Sequence, residues 1–378
     1  MGLFQQPART VLRRTLYLVG GALIAGFIVA AGLVIRFGST LALSLTLALP
    51  NAEPWVASFF ADPPVEQITI NSQGRPLHAD LYRPATPRAA LLLVHGLSRA
   101  GRRHPDLVRL ARSLARHGEL VLVPEFEGLT AFRLTGREVE EIRGALDHLA
   151  GLHSRVGIAG FSFGAGPALL AAADSPNVRL AASFGGYADL RNVVAFITTG
   201  VHNFRGTRYV QRQEEYNRWK LLSLLAVYVE HARDRQLLQQ LAERKLADPA
   251  ENTSNLEAGL GGAGRSLLNL ALNRREEAVA PLLAALPPTV REALDSLSPL
   301  SRVPRISGRL LIAHGAGDDS IPFTESMRLA EAASERSRVV ILQTFHHTGP
   351  RPFFESARLR ARDGWNLMLL VDDLLVMR

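Results

Sequence analysis

Short apolar runs that alternate with helix-length segments constrain this chain more than any other feature. "AALLLVHG" (89–96), "ELVLVPEF" (119–126), "RVGIAGF" (155–161) and "VRLAASFGG" (178–186) are strand-like, and "PDLVRLARSLARHG" (105–118) and "TGREVEEIRGALDHLAGL" (135–152) between them carry helical periodicity. Strands this apolar, linked by helices of ten or more residues, predict a mostly parallel sheet covered by helices on both faces. The rhythm resumes at "GRLLIAHGAGD" (308–318), the helix-like "TESMRLAEAAS" (324–334), "SRVVILQTF" (337–345) and a helix near 353–377. Ahead of it all, "VEQITI" and "LHADLYR" flank the turn signal Ser72-Gln73-Gly74 and alternate as two strands. Residues 190–300 break the pattern with helical runs, a glycine-rich interruption at 259–264 and no strong strand. They are expected to form a helical cap inserted into one α/β domain spanning 65–377.

Composition narrows the classes. Of 378 residues, 47% are hydrophobic, enough to build a sizeable core. The net charge of +8 comes almost wholly from arginine, since Lys220 and Lys245 are the only lysines. Those arginines are scattered among acids and alanines, which reads as solvated faces and predicts no nucleic-acid partner. Cysteine is absent, which excludes disulfides, thiolate metal sites and a cysteine nucleophile.

The N-terminus points to a membrane. Residues 15–35, "TLYLVGGALIAGFIVAAGLVI", carry no charge between Arg14 and Arg36, and about 20 helical residues cross a bilayer core. The run is longer than the apolar region of a cleaved signal. A single-pass transmembrane anchor is therefore expected over 15–36, with 37–64 as a juxtamembrane linker punctuated by Pro50, Pro54, Pro63 and Pro64. Arg9, Arg13 and Arg14 precede the span and only Arg36 follows at once, so residues 1–14 are expected in the cytoplasm and the body outside it. Residues 37–50 are also uncharged, and a hairpin of two spans is the alternative that would keep the body inside. Fourteen helical residues, however, reach only about 21 Å.

Open parallel sheets gather functional residues at the carboxyl ends of their strands. There this sequence puts His95-Gly96-Leu97, Ser162, Asp318 or Asp319, and His346-His347. A serine hydroxyl is hardly ionised at neutral pH; it needs an imidazole to take its proton and a carboxylate to orient that imidazole. Gly160-Phe161-Ser162-Phe163-Gly164, at a strand-to-helix junction, is the G-x-S-x-G elbow pattern, and the order Ser, Asp, His is the one that accompanies it.

On these motifs the chain resembles the α/β hydrolases over about residues 65–377, within their dienelactone-hydrolase-like or lipase/esterase-like branches. The resemblance implies Ser162 as nucleophile, and "HGAGDDSIP" (314–322) resembles the family's acid strand, which selects Asp318. Asp319 competes as a helix cap, and Asp189 is a second possible acid. Phe345 points to His347 as the base, with His346 in competition because the usual Gly-His pair is missing. Leu97 and Phe163 would supply the oxyanion-hole N–H groups, with Gly96, Gly160 and Gly164 supporting, and His95 is read as a structural histidine holding the oxyanion loop. The implied activity is hydrolysis of carboxylic esters through an acyl-enzyme, without metal or cofactor, on a small-molecule or lipid ester. An acyltransferase, or a catalytically dead membrane-anchored binding protein, are the alternatives. The apolar runs "LLSLLAVYV" (221–229) and "VAPLLAAL" (279–286) are expected to wall an acyl pocket or pack on the sheet. Arg99, Arg102, Arg103 and His104 are expected either to receive an anionic group or to form a solvated loop.

Overall fold

Val65–Ser72 (β1) and Arg75–Tyr82 (β2) form an antiparallel hairpin with Val65 opposite Tyr82 and Ser72 opposite Arg75. Its two-residue turn puts Gln73 and Gly74 at φ of +51° and +79°, a doubly left-handed turn whose twist matches that of the strands. The computed structural model describes residues 7–49, 53–343, 345–346, 349–350 and 357–376. In chain order the further strands are Ala89–Val94 (β3), Glu119–Pro124 (β4), Val156–Phe161 (β5), Val178–Phe184 (β6), Val201–Phe204 (β7), Thr207–Val210 (β8), Arg309–Gly315 (β9), Ser337–Leu342 (β10), Phe345–His346 (β11) and Gly349–Pro350 (β12). Eight of the twelve described strands make one sheet in the order β1-β2-β4-β3-β5-β6-β9-β10. β2 pairs antiparallel with β1 and β4, and every pairing from β4 to β10 is parallel. The period of two shows in β3, buried throughout: Ala90, Leu92 and Val94 face one core, Leu91 and Leu93 the other.

The helices follow the sequence rhythm where the chain is α/β and depart from it at the N-terminus. Pro7–Ala48 (α1) is one uninterrupted helix, so no reversal at 36–37 makes a hairpin of two spans. Residues 37–48, expected as linker, stay helical because no proline interrupts them before Pro50. The end of α1 packs on the domain: Thr40 Oγ1 donates to Asp372 at 3.0 Å, and Leu43 is wholly buried in a cluster with Val371 and Leu374. Taken over the described residues, no helix is long and apolar enough to cross a membrane, so the expected transmembrane anchor is not shown. The side chains of 7–16, 18–23, 30, 33, 35 and 36 lie outside those residues. Next come Glu53–Ala57 (α2) and Pro105–Arg116 (α3). Arg116 binds Glu53 and Asp62, and the Phe60 ring sits 4.5 Å from that of His117. The stretch read as a linker is thus fastened to α3.

Glu127–Thr130 (α4), Arg137–Leu152 (α5) and Ala165–Ala173 (α6) lead to Leu190–Thr199 (α7), where the insertion opens. It holds the β7–β8 hairpin, then Glu215–Ala226 (α8), Ala232–Ala247 (α9), Ser254–Ala258 (α10), Gly262–Leu272 (α11), Glu276–Ala284 (α12) and Pro288–Ser296 (α13). The hairpin was not anticipated from sequence; its strands have four residues each, and Arg205-Gly206 turns it at φ of +46° and +81°. Phe323–Ala333 (α14) and Ala357–Val376 (α15) complete the fold. Side chains of α5 and α6 join one core, and those of α3 and α15 join the other with Leu43. The predicted layering, helices on both faces of a mostly parallel sheet, is what forms.

Candidate active site

β3 and β5 are neighbours, with Val94 opposite Gly160. Their carboxyl ends therefore bring His95-Gly96-Leu97 and Ser162 together. Ser162 opens a single 3₁₀ turn, Ser162–Gly164, between β5 and α6, and its φ is +50°. A non-glycine residue in the left-handed region costs roughly 1–2 kcal/mol and persists only where its surroundings enforce it. Here they do. A Cβ on Gly160 would lie 2.5 Å from Ala165 Cα, and one on Gly164 would collide with the His95 carbonyl. Gly96 lies against the serine: a Cβ there would stand 2.9 Å from the Phe161 carbonyl oxygen and 3.0 Å from Ser162 Cβ. Leu97 is the next residue, half-buried, and Phe163 lies in the turn with its ring buried 5.8 Å from that of Tyr187.

His95 is turned away from chemistry. Its Nε2 accepts from the Phe126 N–H at 3.1 Å and its Nδ1 donates to the Gly96 carbonyl at 2.9 Å, which fixes the tautomer. Burial lowers its pKa to about 4. A neutral ring in this position ties the loop after β3 to the chain after β4.

Asp318 follows β9 and is buried. Its Oδ1 accepts from the N–H groups of Ser320 at 2.9 Å and Ile321 at 3.0 Å, and Oδ2 lies 3.5 Å from His314 Nε2. A Cβ on Gly185, just past β6, would come 3.5 Å from Asp318 Oδ2, so this oxygen faces the edge where Ser162 lies. Asp189 is engaged differently: it caps α7, accepting from Arg191 N–H at 2.8 Å. Asp319 is half-buried and accepts from Ser320 Oγ at 3.4 Å. His346 lies in β11, which runs beside β9. His347 falls outside the described residues, as does the side chain of His346.

Several neighbouring groups carry no sequence signature. Glu325 of α14 is fully buried and accepts from the N–H groups of Ala188 and Asp189, from Asn192 and from Arg328. Burial raises its pKa to about 6. It fixes the loop after β6, which a sequence motif cannot reveal because the contacts span more than a hundred residues. In the loop after Leu97, Arg102 is buried and spent on Asp80 at 2.8 Å and Glu125 at 3.4 Å, whereas Arg99 and Arg103 are exposed and His104 is half-buried. Phe163, Leu190, Val194, Leu221, Leu225 and Tyr228 line an apolar cavity of about 20 Å³ beneath the insertion. Among the described residues no group of histidines and carboxylates could hold a metal ion.

Neither a protein-family model nor a curated protein matches the sequence. Among solved structures, the chain is similar to the α/β hydrolase GrgF from Penicillium sp. sh18, at 15% identity over 83% of this chain and 99% of that one, with a TM-score of 0.49. It is also similar to the esterase domain of a Rhodothermus marinus protein, at 16% identity over 82% and 96%, TM-score 0.44. The 2,6-dihydroxy-pseudo-oxynicotine hydrolase matches at 16% identity over 86% and 72%, TM-score 0.47. The strand order, the reversed second strand and the glycine-bracketed Ser162 turn after the fifth strand fit the α/β-hydrolase fold.

Proposed function

We propose that the chain is a serine hydrolase of carboxylic esters. The observation that carries this reading is Ser162: its left-handed φ of +50° raises the side chain on a tight turn with the Gly96 backbone against it. His347, as base, takes the Oγ proton while Oγ bonds to the ester carbonyl carbon and the π pair moves onto oxygen. N–H groups of Leu97 and Phe163 hold that oxyanion, an effect worth several kcal/mol of barrier in such sites. Collapse of the tetrahedral centre breaks the bond to the alkoxide, which takes the proton from His347. Water then repeats the cycle on the acyl-enzyme. Asp318 orients His347 and stabilises its charged form.

Taken as the acyl side, the apolar cavity lined by Phe163 and by side chains of α7 and α8 favours a lipophilic group. At about 20 Å³ the cavity has room for one water, so a long acyl chain must displace α8. A panel of esters graded by acyl length tests this, with more than a tenfold rise in kcat/KM from acetate to medium chains expected, since each buried methylene contributes about 0.8 kcal/mol. A flat or acetate-favouring profile leaves a small-ester enzyme. Labelling by a fluorophosphonate tests the nucleophile: the parent protein should label at Ser162 and Ser162→Ala should not. Retained labelling in that variant refutes the reading.

The membrane anchor is proposed on the uncharged run 15–35. Ile24, Phe27, Ile28, Val29 and Val34 are all exposed, and a helix apolar on every side belongs in lipid or in a core. Trp55 and Phe59, an exposed aromatic pair on and just after α2, suit the adjoining interface.

A further inference from the structure

The acid loop is held by the insertion. From the segment before α8, Gln211 Nε2 donates to the Gly317 carbonyl at 3.0 Å. From α8, Asn217 Nδ2 donates to the Asp319 carbonyl at 2.9 Å, and its Oδ1 accepts from Ser320 Oγ at 3.0 Å. One turn on, Lys220 Nζ donates to the same Ser320 Oγ at 3.2 Å. Ser320 in turn gives its backbone N–H to Asp318 Oδ1. Asn217 is 2% exposed, Lys220 9% and Ser320 1%. A chain with two lysines among 43 basic residues has thus buried one of them beside its candidate acid.

That burial is costly. Lys220 makes no direct ion pair among the described residues; besides Ser320, its ammonium meets the Tyr216 ring at 5.0 Å. A buried ammonium without a contacting carboxylate is destabilising relative to an apolar residue of the same length. An alkyl side chain would fill the space at lower cost, and Asn217 already holds Ser320. What the lysine adds is charge: burial pushes its pKa down, and the carboxylates of Asp319 and Asp318 oppose that through space and favour the cation. Around Asp318, among the described residues, are His314 of β9, Asp319 beside it and, through Ser320, Lys220 of α8. His314 shares a hydrogen bond between Nδ1 and Ser326 Oγ at 2.7 Å, and its Nε2 donates to the Ile321 carbonyl at 2.9 Å.

We propose that Lys220 is a positioning residue for Asp318: α8 locks the acid loop through Asn217 and Ser320, and the buried Lys220 cation sets the field in which Asp318 and its histidine partner work. The inference rests on the serine-hydrolase reading. Its sign is definite: a cation favours the carboxylate and disfavours the imidazolium, so it keeps the base deprotonated to lower pH. The insertion is then part of the catalytic apparatus as well as a cover.

The test is the pH profile of kcat/KM, and of fluorophosphonate labelling rate, for the full chain and for Lys220→Met, Lys220→Gln and Lys220→Arg. Lys220→Gln keeps a donor for Ser320 without the charge; Lys220→Arg keeps the charge. For Met and Gln the acid limb should move up by about half a pH unit or more, with a rate loss at pH 6 larger than at pH 8, while Arg should retain the limb of the parent. A limb unmoved in both Met and Gln, whatever the change in rate or melting temperature, overturns the proposal, as does a shift in Arg equal to that in Gln. If Met fails to fold, Gln alone decides. Absence of labelling at Ser162 in the parent protein overturns the hydrolase reading itself, and this inference with it.

Discussion

The +50° φ of Ser162 stores backbone strain that a glycine would not, so substitutions there separate stability from chemistry. Ser162→Ala should remove activity and leave the melting temperature close to that of the parent. Ser162→Gly should also be inactive, and melt no lower than Ser162→Ala, because glycine enters the left-handed region without a Cβ clash; calorimetry of the two variants checks this. At Gly96 the expectation reverses. A methyl there, 2.9 Å from the Phe161 backbone oxygen and 3.0 Å from Ser162 Cβ, should cut kcat/KM by at least tenfold in Gly96→Ala and lower the melting temperature as well, because the backbone must shift to admit it. The two aspartates part in the same way. Asp318→Asn should damage turnover severely, whereas Asp189→Asn should be almost silent, since Asn caps a helix as well as Asp. Comparable losses in both would unseat Asp318 as the acid. Ser162, the glycines and Asp318 were legible because each sits in a local pattern at a strand end. Glu325, Asn217 and Lys220 were not, because their partners lie roughly a hundred residues away and nothing local marks them.

Strand β4 carries a second kind of cost. Glu119 at its start is fully buried, neither of its carboxylate oxygens has a hydrogen-bond partner among the described residues, and desolvation raises its pKa from the ordinary 4.5 to about 8. A carboxyl whose pKa is raised by folding contributes stability that is fully present below 4.5 and lost as pH rises to about 8. The melting temperature should therefore fall between pH 5 and pH 8, and Glu119→Gln should flatten that fall; an unchanged slope would mean that this carboxyl is not the cause. Strands of the central sheet were readable because burial on both faces leaves unbroken apolar runs. The β7–β8 hairpin was not, since four-residue strands with a mixed sequence give too short a period. Residues 37–48 read as linker because Pro50 and its followers signal one; the helix runs on to Ala48 and packs on α15, far along the chain.

If residues 15–35 span a bilayer with Arg9, Arg13 and Arg14 inside, a reporter fused after Arg378 should be active only where it functions outside the cytoplasm, and cytoplasmic activity would reverse the proposed topology. The sheet's mostly parallel pairing follows from the alternation of strand and helix, whereas its strand order does not. How the N-terminal helix meets the domain does not either, because its docking surface is assembled from α3 and α15 only after folding. That meeting bears on shedding. A protease cutting between residues 36 and 40 would release a particle that keeps Thr40 on Asp372 and Leu43 over Val371 and Leu374, and it should sediment as a single species. A cut after residue 48 would take the seal away, leaving an oily stripe along α15 and α3 open to water, and that fragment should self-associate or cling to lipid with no span of its own.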